Sequence, residues 1–119
     1  IGPSESVSQG WTIEPVEKKS DTDPSVLTII PNIEAASIKM FNEDTNELLK
    51  IKEGNQYQTY QLDFKNGYKI NVEKDGYLPI SFHIFGFNQN SDKVLEKAKK
   101  YNYIIKVYLF ELPLKLNYL

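Results

Sequence analysis

A chain of 119 residues, 40 % hydrophobic and 25 % charged, suffices for one domain with a single modest core; such a chain buries roughly two thirds of its unfolded surface without metal or disulfide. A net charge of -2, with 14 cations that are all lysine, leaves no basic field to neutralise nucleic acid and no guanidinium fork for bidentate recognition of carboxylates or phosphates. The absence of cysteine excludes a thiolate nucleophile and a cysteine-based zinc site, and an aromatic content of 13 %, carried mainly by 8 Tyr and 6 Phe, leans towards strands.

Residues 1 to 24 are rich in Ser, Pro, Glu, Lys and Asp and read as a flexible leader or linker, within which Trp11-Thr12-Ile13 alone has the makings of an edge strand. The chain opens on Ile1 rather than Met and holds no apolar run long enough to span a bilayer, so it reads as a mature form or an excised fragment with no transmembrane segment of its own. The domain is expected to begin at residue 25. The run Val26 to Ile30, bounded by Pro24 and Pro31, suits a strand covered on both faces. Ala36, Ile38 and Met40 then alternate with polar partners up to a turn at residues 42–46, after which Leu48, Leu49 and Ile51 complete a hairpin.

Tyr60, Leu62 and Phe64 alternate in a strand leading to Asn66-Gly67, and that strand is expected to pair with the next. Tyr68, Ile70 and Val72 face one side while Lys69, Asn71 and Glu73 face the other, and Asp75-Gly76 turns the chain into the alternating run Ile80 to Phe85. Gly67 and Gly76 are the structural turn positions, chosen for their tolerance of positive φ. Between residues 91 and 100, Val94, Leu95, Ala98 and Tyr101 recur at helical spacing, with Ser91 or Asp92 as cap. Tyr103, Ile105, Val107 and Leu109 form the last strand, which Pro113 limits, and residues 114–119 are a C-terminal extension. About seven short strands with closely spaced turn signals predict an all-β, two-sheet antiparallel sandwich of transthyretin-like or immunoglobulin-like form over residues 25–113, with one short helix.

The segment Gly67-Tyr68-Lys69-Ile70-Asn71-Val72-Glu73-Lys74-Asp75-Gly76-Tyr77-Leu78-Pro79 resembles the G-x-Y-x-V-x-V-x-x-x-G-Y-x-P signature of carboxypeptidase-regulatory-like and PEGA-type domains. The turn Asp44-Thr45-Asn46-Glu47 is similar to that family's D-x-x-T-G-E element with Asn46 in place of glycine, and Lys106 to Leu109 resembles its closing strand. The resemblance implies a prealbumin-like sandwich without activity or cofactor. It also implies a spacer, docking or folding-support role within a bacterial multidomain protein of the periplasm, outer membrane or secreted space. In that setting Tyr77 would fold its ring over the sandwich end and give its hydroxyl a backbone partner.

Candidate sites are few. His83 is the single histidine and faces solvent with Ser81 and Phe85; alone it builds neither a zinc site nor a triad, and hydrolysis of the transthyretin-like type, which needs several His and Arg, is excluded by composition. Glu43, Asp44 and Glu47 lack calcium-loop spacing and read as a solvated turn, as do Asp21 and Asp23 in the leader; no metal site is expected. Lys93, Lys97, Lys99 and Lys100 read as a solvated helix face broken by Asp92 and Glu96.

The aromatic surplus carries the binding residues: Phe41, Phe85, Tyr108 and Phe110 fall on strand faces opposite their core neighbours. They either cap the sandwich ends or form a binding platform. Two functions follow as expectations. The first is a non-catalytic module that binds other domains or envelope proteins by sheet edges and loops; the second is a polysaccharide-binding or peptidoglycan-associated domain that stacks sugars on exposed rings. Nucleic acid is not an expected partner.

Overall fold

Alternation of apolar and polar side chains builds two sheets whose greasy faces meet. The computed structural model describes residues 10–49, 58–86 and 92–112. These contain eight strands and one short helix: β1 Trp11–Glu17, β2 Val26–Pro31, β3 Ser37–Asn42, β4 Leu48–Leu49, β5 Gln58–Gln61, β6 Tyr68–Glu73, β7 Ile80–Ile84, α1 Asp92–Ala98 and β8 Tyr101–Val107. One sheet has the order β1-β8-β2-β5 and the other β4-β3-β6-β7, so the all-β two-sheet sandwich is the observed fold. The expected positions of Ile51, Ser91 and residues 114–119 lie outside the described residues.

The core is built from every second residue. Leu27, Ile29, Ile105 and Val107 of the first sheet meet Ile38, Met40, Ile70, Val72, Phe82 and Ile84 of the second, all of them buried. Removing each such side chain from water contributes on the order of 1.5–3 kcal/mol. The β6–β7 hairpin forms as read, with Tyr68 opposite Ile84 and Val72 opposite Ile80, and Gly76 turns it at φ 86°.

Three expectations are corrected. First, Trp11–Glu17 is a full edge strand, paired antiparallel with β8 from Trp11↔Val107 to Glu17↔Tyr101, so the sandwich takes in part of the stretch read as leader. Trp11 is buried and outweighs its polar neighbours, because a ring of that size gains more from the core than the surrounding residues lose by ordering. Second, the sheet is not wholly antiparallel: β8 runs parallel to β2, from Leu27↔Tyr103 to Pro31↔Val107. The whole second sheet and α1 intervene between these strands, which supplies the long crossover that parallel neighbours require.

Third, β5 pairs with β2, from Val26↔Gln61 to Ile29↔Gln58, and not with β6. Residues 62–67 are a corner between the sheets. Leu62 and Phe64 bury their side chains there, and the buried Tyr68 hydroxyl donates to the Asp63 carbonyl and accepts the Asp63 N–H, both at 2.9 Å. This is the arrangement known as a tyrosine corner, in which a ring at the start of a strand ties back the crossing chain. Tyr68 thus makes the hydroxyl-to-backbone contact that the resemblance implies for Tyr77; Tyr77 packs its half-buried ring on the core and bridges its backbone to Glu111.

The chain after β8 clasps the far end. Tyr108 donates its N–H to the Gly10 carbonyl at 2.7 Å, Leu78 to that of Phe110 and Leu112 to that of Gly76, both at 2.9 Å. Asn32 fixes the crossing by pairing with both backbone groups of Leu109, at 2.8 and 3.2 Å.

Candidate functional site

β1 and β8 each run for 7 residues, whereas β7 stops at Ile84 after 5. The inner face of the first sheet therefore overhangs the second. Trp11 closes the gap at one level by stacking on Phe82, with ring centroids 4.3 Å apart. Beyond that contact Ile13 and Pro15 on β1 and Tyr103 and Tyr101 on β8 line a hollow that reaches past the end of β7, with Val94 and Ala98 of α1 along its side. The result is an open groove of about 1040 Å³ that ends on Ile84, Phe85 and Gly86, with Lys97, Glu43 and His83 along its rim. A shallower hollow of about 240 Å³ lies beside Ala35, Ser37 and Glu73 to Asp75.

The rim pair joins the turn after β3 to β7. His83 Nδ1 lies 2.8 Å from Glu43 Oε1, and the side chains stay 60 % and 38 % exposed. Glu43 reaches it by crossing Gly67: a Cβ there would stand 3.3 Å from the Glu43 carboxylate and 3.2 Å from the Gly86 Cα. Gly67 is needed for this approach and not for positive φ, which among the described glycines belongs to Gly10 and Gly76. The Asn42 side chain shapes the turn that presents Glu43, its Oδ1 accepting the N–H groups of Asp44 at 2.8 Å and Thr45 at 3.1 Å. Asn46 takes φ 62° in that turn, a conformation that glycine and asparagine tolerate best.

Inside the groove, Tyr103 donates its hydroxyl to the Ala98 carbonyl at 2.9 Å. Burial, with a further contribution from neighbouring Tyr101, pushes its phenol above the ordinary value of 10.0. Among the described residues no group of three or more His, Asp or Glu side chains is placed to hold a metal ion, and no helix is long and apolar enough to cross a membrane.

The four aromatic residues singled out in the sequence do not share one platform. Phe85 is turned inward: it sits one residue past β7 at φ 62°, which swings its ring off the solvent face into edge contacts with Phe64 at 5.2 Å and Tyr103 at 4.9 Å. Phe41 is half-buried, with Lys69 Nζ 5.8 Å from its ring centre. Tyr108 and Phe110 are exposed, at 37 % and 60 %, on the clasp at the opposite end from α1. His83 faces solvent as expected. The groove itself was not foreseen, since its walls come from a strand read as leader and a helix whose apolar spacing does not say which sheet it covers; the signal was the longer alternation of β8 relative to β7. Comparison with family models, with curated proteins and with solved structures finds no match for this chain.

Proposed function

We propose that this chain is a non-catalytic interaction module of a multidomain extracytoplasmic protein, holding partners by its sheet edges, loops and groove. The observation that carries this reading is the chemistry of the main concavity, whose walls are apolar and aromatic and whose rim acid and histidine are spent on each other at 2.8 Å. A hollow so lined favours binding, while general acid–base work requires a group held free towards a substrate. The resemblance of Gly67 to Pro79 to carboxypeptidase-regulatory-like and PEGA-type domains supports the extracytoplasmic setting. The test is cross-linking of the purified chain in an envelope extract followed by identification of the linked peptides. Saturable links from β7, β1 or the groove to one partner support the reading, and a monodisperse chain that links to nothing, or that turns over a substrate, counts against it.

A glycan-binding reading has one observation of its own, the exposed rings of Tyr108 and Phe110. Calorimetric titration with cell-wall and capsular polysaccharides tests it; heats that survive Tyr108→Ser and Phe110→Ser would remove those rings from consideration.

A further inference from the structure

We propose that the groove between β1, β8 and α1 binds a long-chain carboxylate, with the apolar chain lying along Ile13, Pro15 and Tyr101 and the carboxylate at Lys97. The size fits: about 1040 Å³ stands at the upper end of the roughly 300–1,000 Å³ typical of small-molecule sites. So does the lining. β1 contributes Ile13 and Pro15, α1 contributes Val94, and the floor is aromatic, which suits methylene groups and offers few hydrogen bonds to a sugar or a peptide backbone.

The choice of head group follows from charge. Glu43 on the rim is held by a hydrogen bond with His83 at 2.8 Å, whereas Lys97 has no ion-pair partner among the described residues. It stands in the last turn of α1 and lines the same groove. Lys97 is thus a cation at the mouth left without an ion-pair partner among the described residues, and a carboxylate there gains a charge-assisted contact that a neutral head lacks. Phe85 adds a second sign of a built site. A bulky residue at φ 62° is an uncommon conformation that costs free energy, and here it turns the ring into the aromatic cluster at the groove's end instead of leaving it on the solvent face.

The chain carries its own reporter, because its single tryptophan is Trp11, which lines the groove. The experiment titrates the full chain with 9,10-dibromostearate below its micelle concentration and follows tryptophan quenching, with the methyl ester as the neutral control. Saturable quenching is expected, with Lys97→Glu weakening the carboxylate about five- to tenfold and leaving the ester within about twofold. Val94→Glu is expected to abolish both; Val94 is 43 % exposed, so the core is spared, and Pro15→Glu repeats the test from the facing strand. Far-UV circular dichroism verifies the fold of each variant.

Absence of saturable quenching overturns the proposal, as does quenching unchanged in folded Val94→Glu and Pro15→Glu. An ester that binds as well as the acid, with no effect of Lys97→Glu, overturns the anionic head. A wild-type dimer that Val94→Glu disperses would give the groove to a second copy.

Discussion

Trp11 and Phe82 stack nearly parallel, 11° between ring planes, and so join the edge strand of one sheet to the edge strand of the other. Among the described residues no other aromatic contact ties β1 to the second sheet, which makes this pair the seam of the sandwich on that side. Both rings are buried.

Trp11→Ala is therefore expected to cost about 3–5 kcal/mol, as large-to-small changes at buried aromatic sites do. Domains of this kind have only about 5–15 kcal/mol in all, so a chain trimmed to begin at residue 25 should lose cooperative unfolding. Urea denaturation followed by circular dichroism measures both. A trimmed chain with an undiminished, sharp transition would show that β1 contributes nothing to the fold.

The Glu43–His83 contact and Gly67 are expected to behave very differently on mutation. The ion pair is exposed, so His83→Gln should change stability by less than about 1 kcal/mol. Gly67→Ala places a methyl group 3.2 Å from the Gly86 Cα and 3.3 Å from the Glu43 carboxylate, closer than ordinary contact, and should cost about 1–3 kcal/mol while pushing the Glu43 carboxylate off His83. Comparing the urea midpoints of the two variants decides the matter. Equal, small losses would mean that the backbone accommodates the methyl.

Tyr68→Phe removes one oxygen that serves both the N–H and the carbonyl of Asp63. The ring keeps its place in the core, so the loss isolates the corner's hydrogen bonds, and about 1–3 kcal/mol is expected. Hydrogen exchange at the Asp63 amide should accelerate more than that at Ile70. Uniform acceleration at both would indicate global destabilisation instead of a loosened corner.

Local patterns were legible in the sequence, and partners were not. The inward positions of β6, β7 and β8 follow from alternation alone, because Ile70, Val72, Phe82, Ile105 and Val107 had to find a common interior. The turn at Gly76 was equally plain. Which strand lies beside which depends on long-range geometry that period-2 patterning does not encode: Tyr60-Gln61 reads the same whether it pairs with β6 or with β2, and the buried Leu62, Phe64 and Tyr68 side chains decide for β2 by making a corner. The groove escaped for the same reason, since it arises from a difference in strand length and from β1, whose single large ring is offset in the sequence by Glu14, Pro15 and Glu17. Phe85 misled because alternation assumes extended backbone, and its positive φ breaks the period.

Asn46 sits at φ 62° where a turn demands a left-handed residue. Asn46→Gly should hold or raise stability slightly, within about 0.5 kcal/mol, because relief of strain is offset by the greater freedom of glycine in the unfolded chain. Asn46→Val should cost about 1–2 kcal/mol, since a β-branched residue is strained there. Thermal melts of both variants give the comparison, and a valine variant as stable as wild type would mean that the turn had changed type.

Tyr103 carries the pH dependence. Burial, with help from Tyr101, raises its folded pKa above the 10.0 of the unfolded chain, so the folded state holds the proton more tightly. The sign follows directly: the associated stability is fully present below about pH 10 and is lost as pH climbs through the folded value, because the unfolded chain ionises first. Ionisation also takes away the proton that Tyr103 donates to the Ala98 carbonyl at 2.9 Å. Tyr103→Phe should be less stable than wild type by about 0.5–1.5 kcal/mol near neutral pH, the usual worth of one such bond. That gap should narrow above about pH 10, as the wild type pays for its phenol and the variant does not. Urea midpoints measured at intervals across that range test this, and a gap that stays constant to high pH would show that the phenol ionises without consequence for the α1–β8 contact.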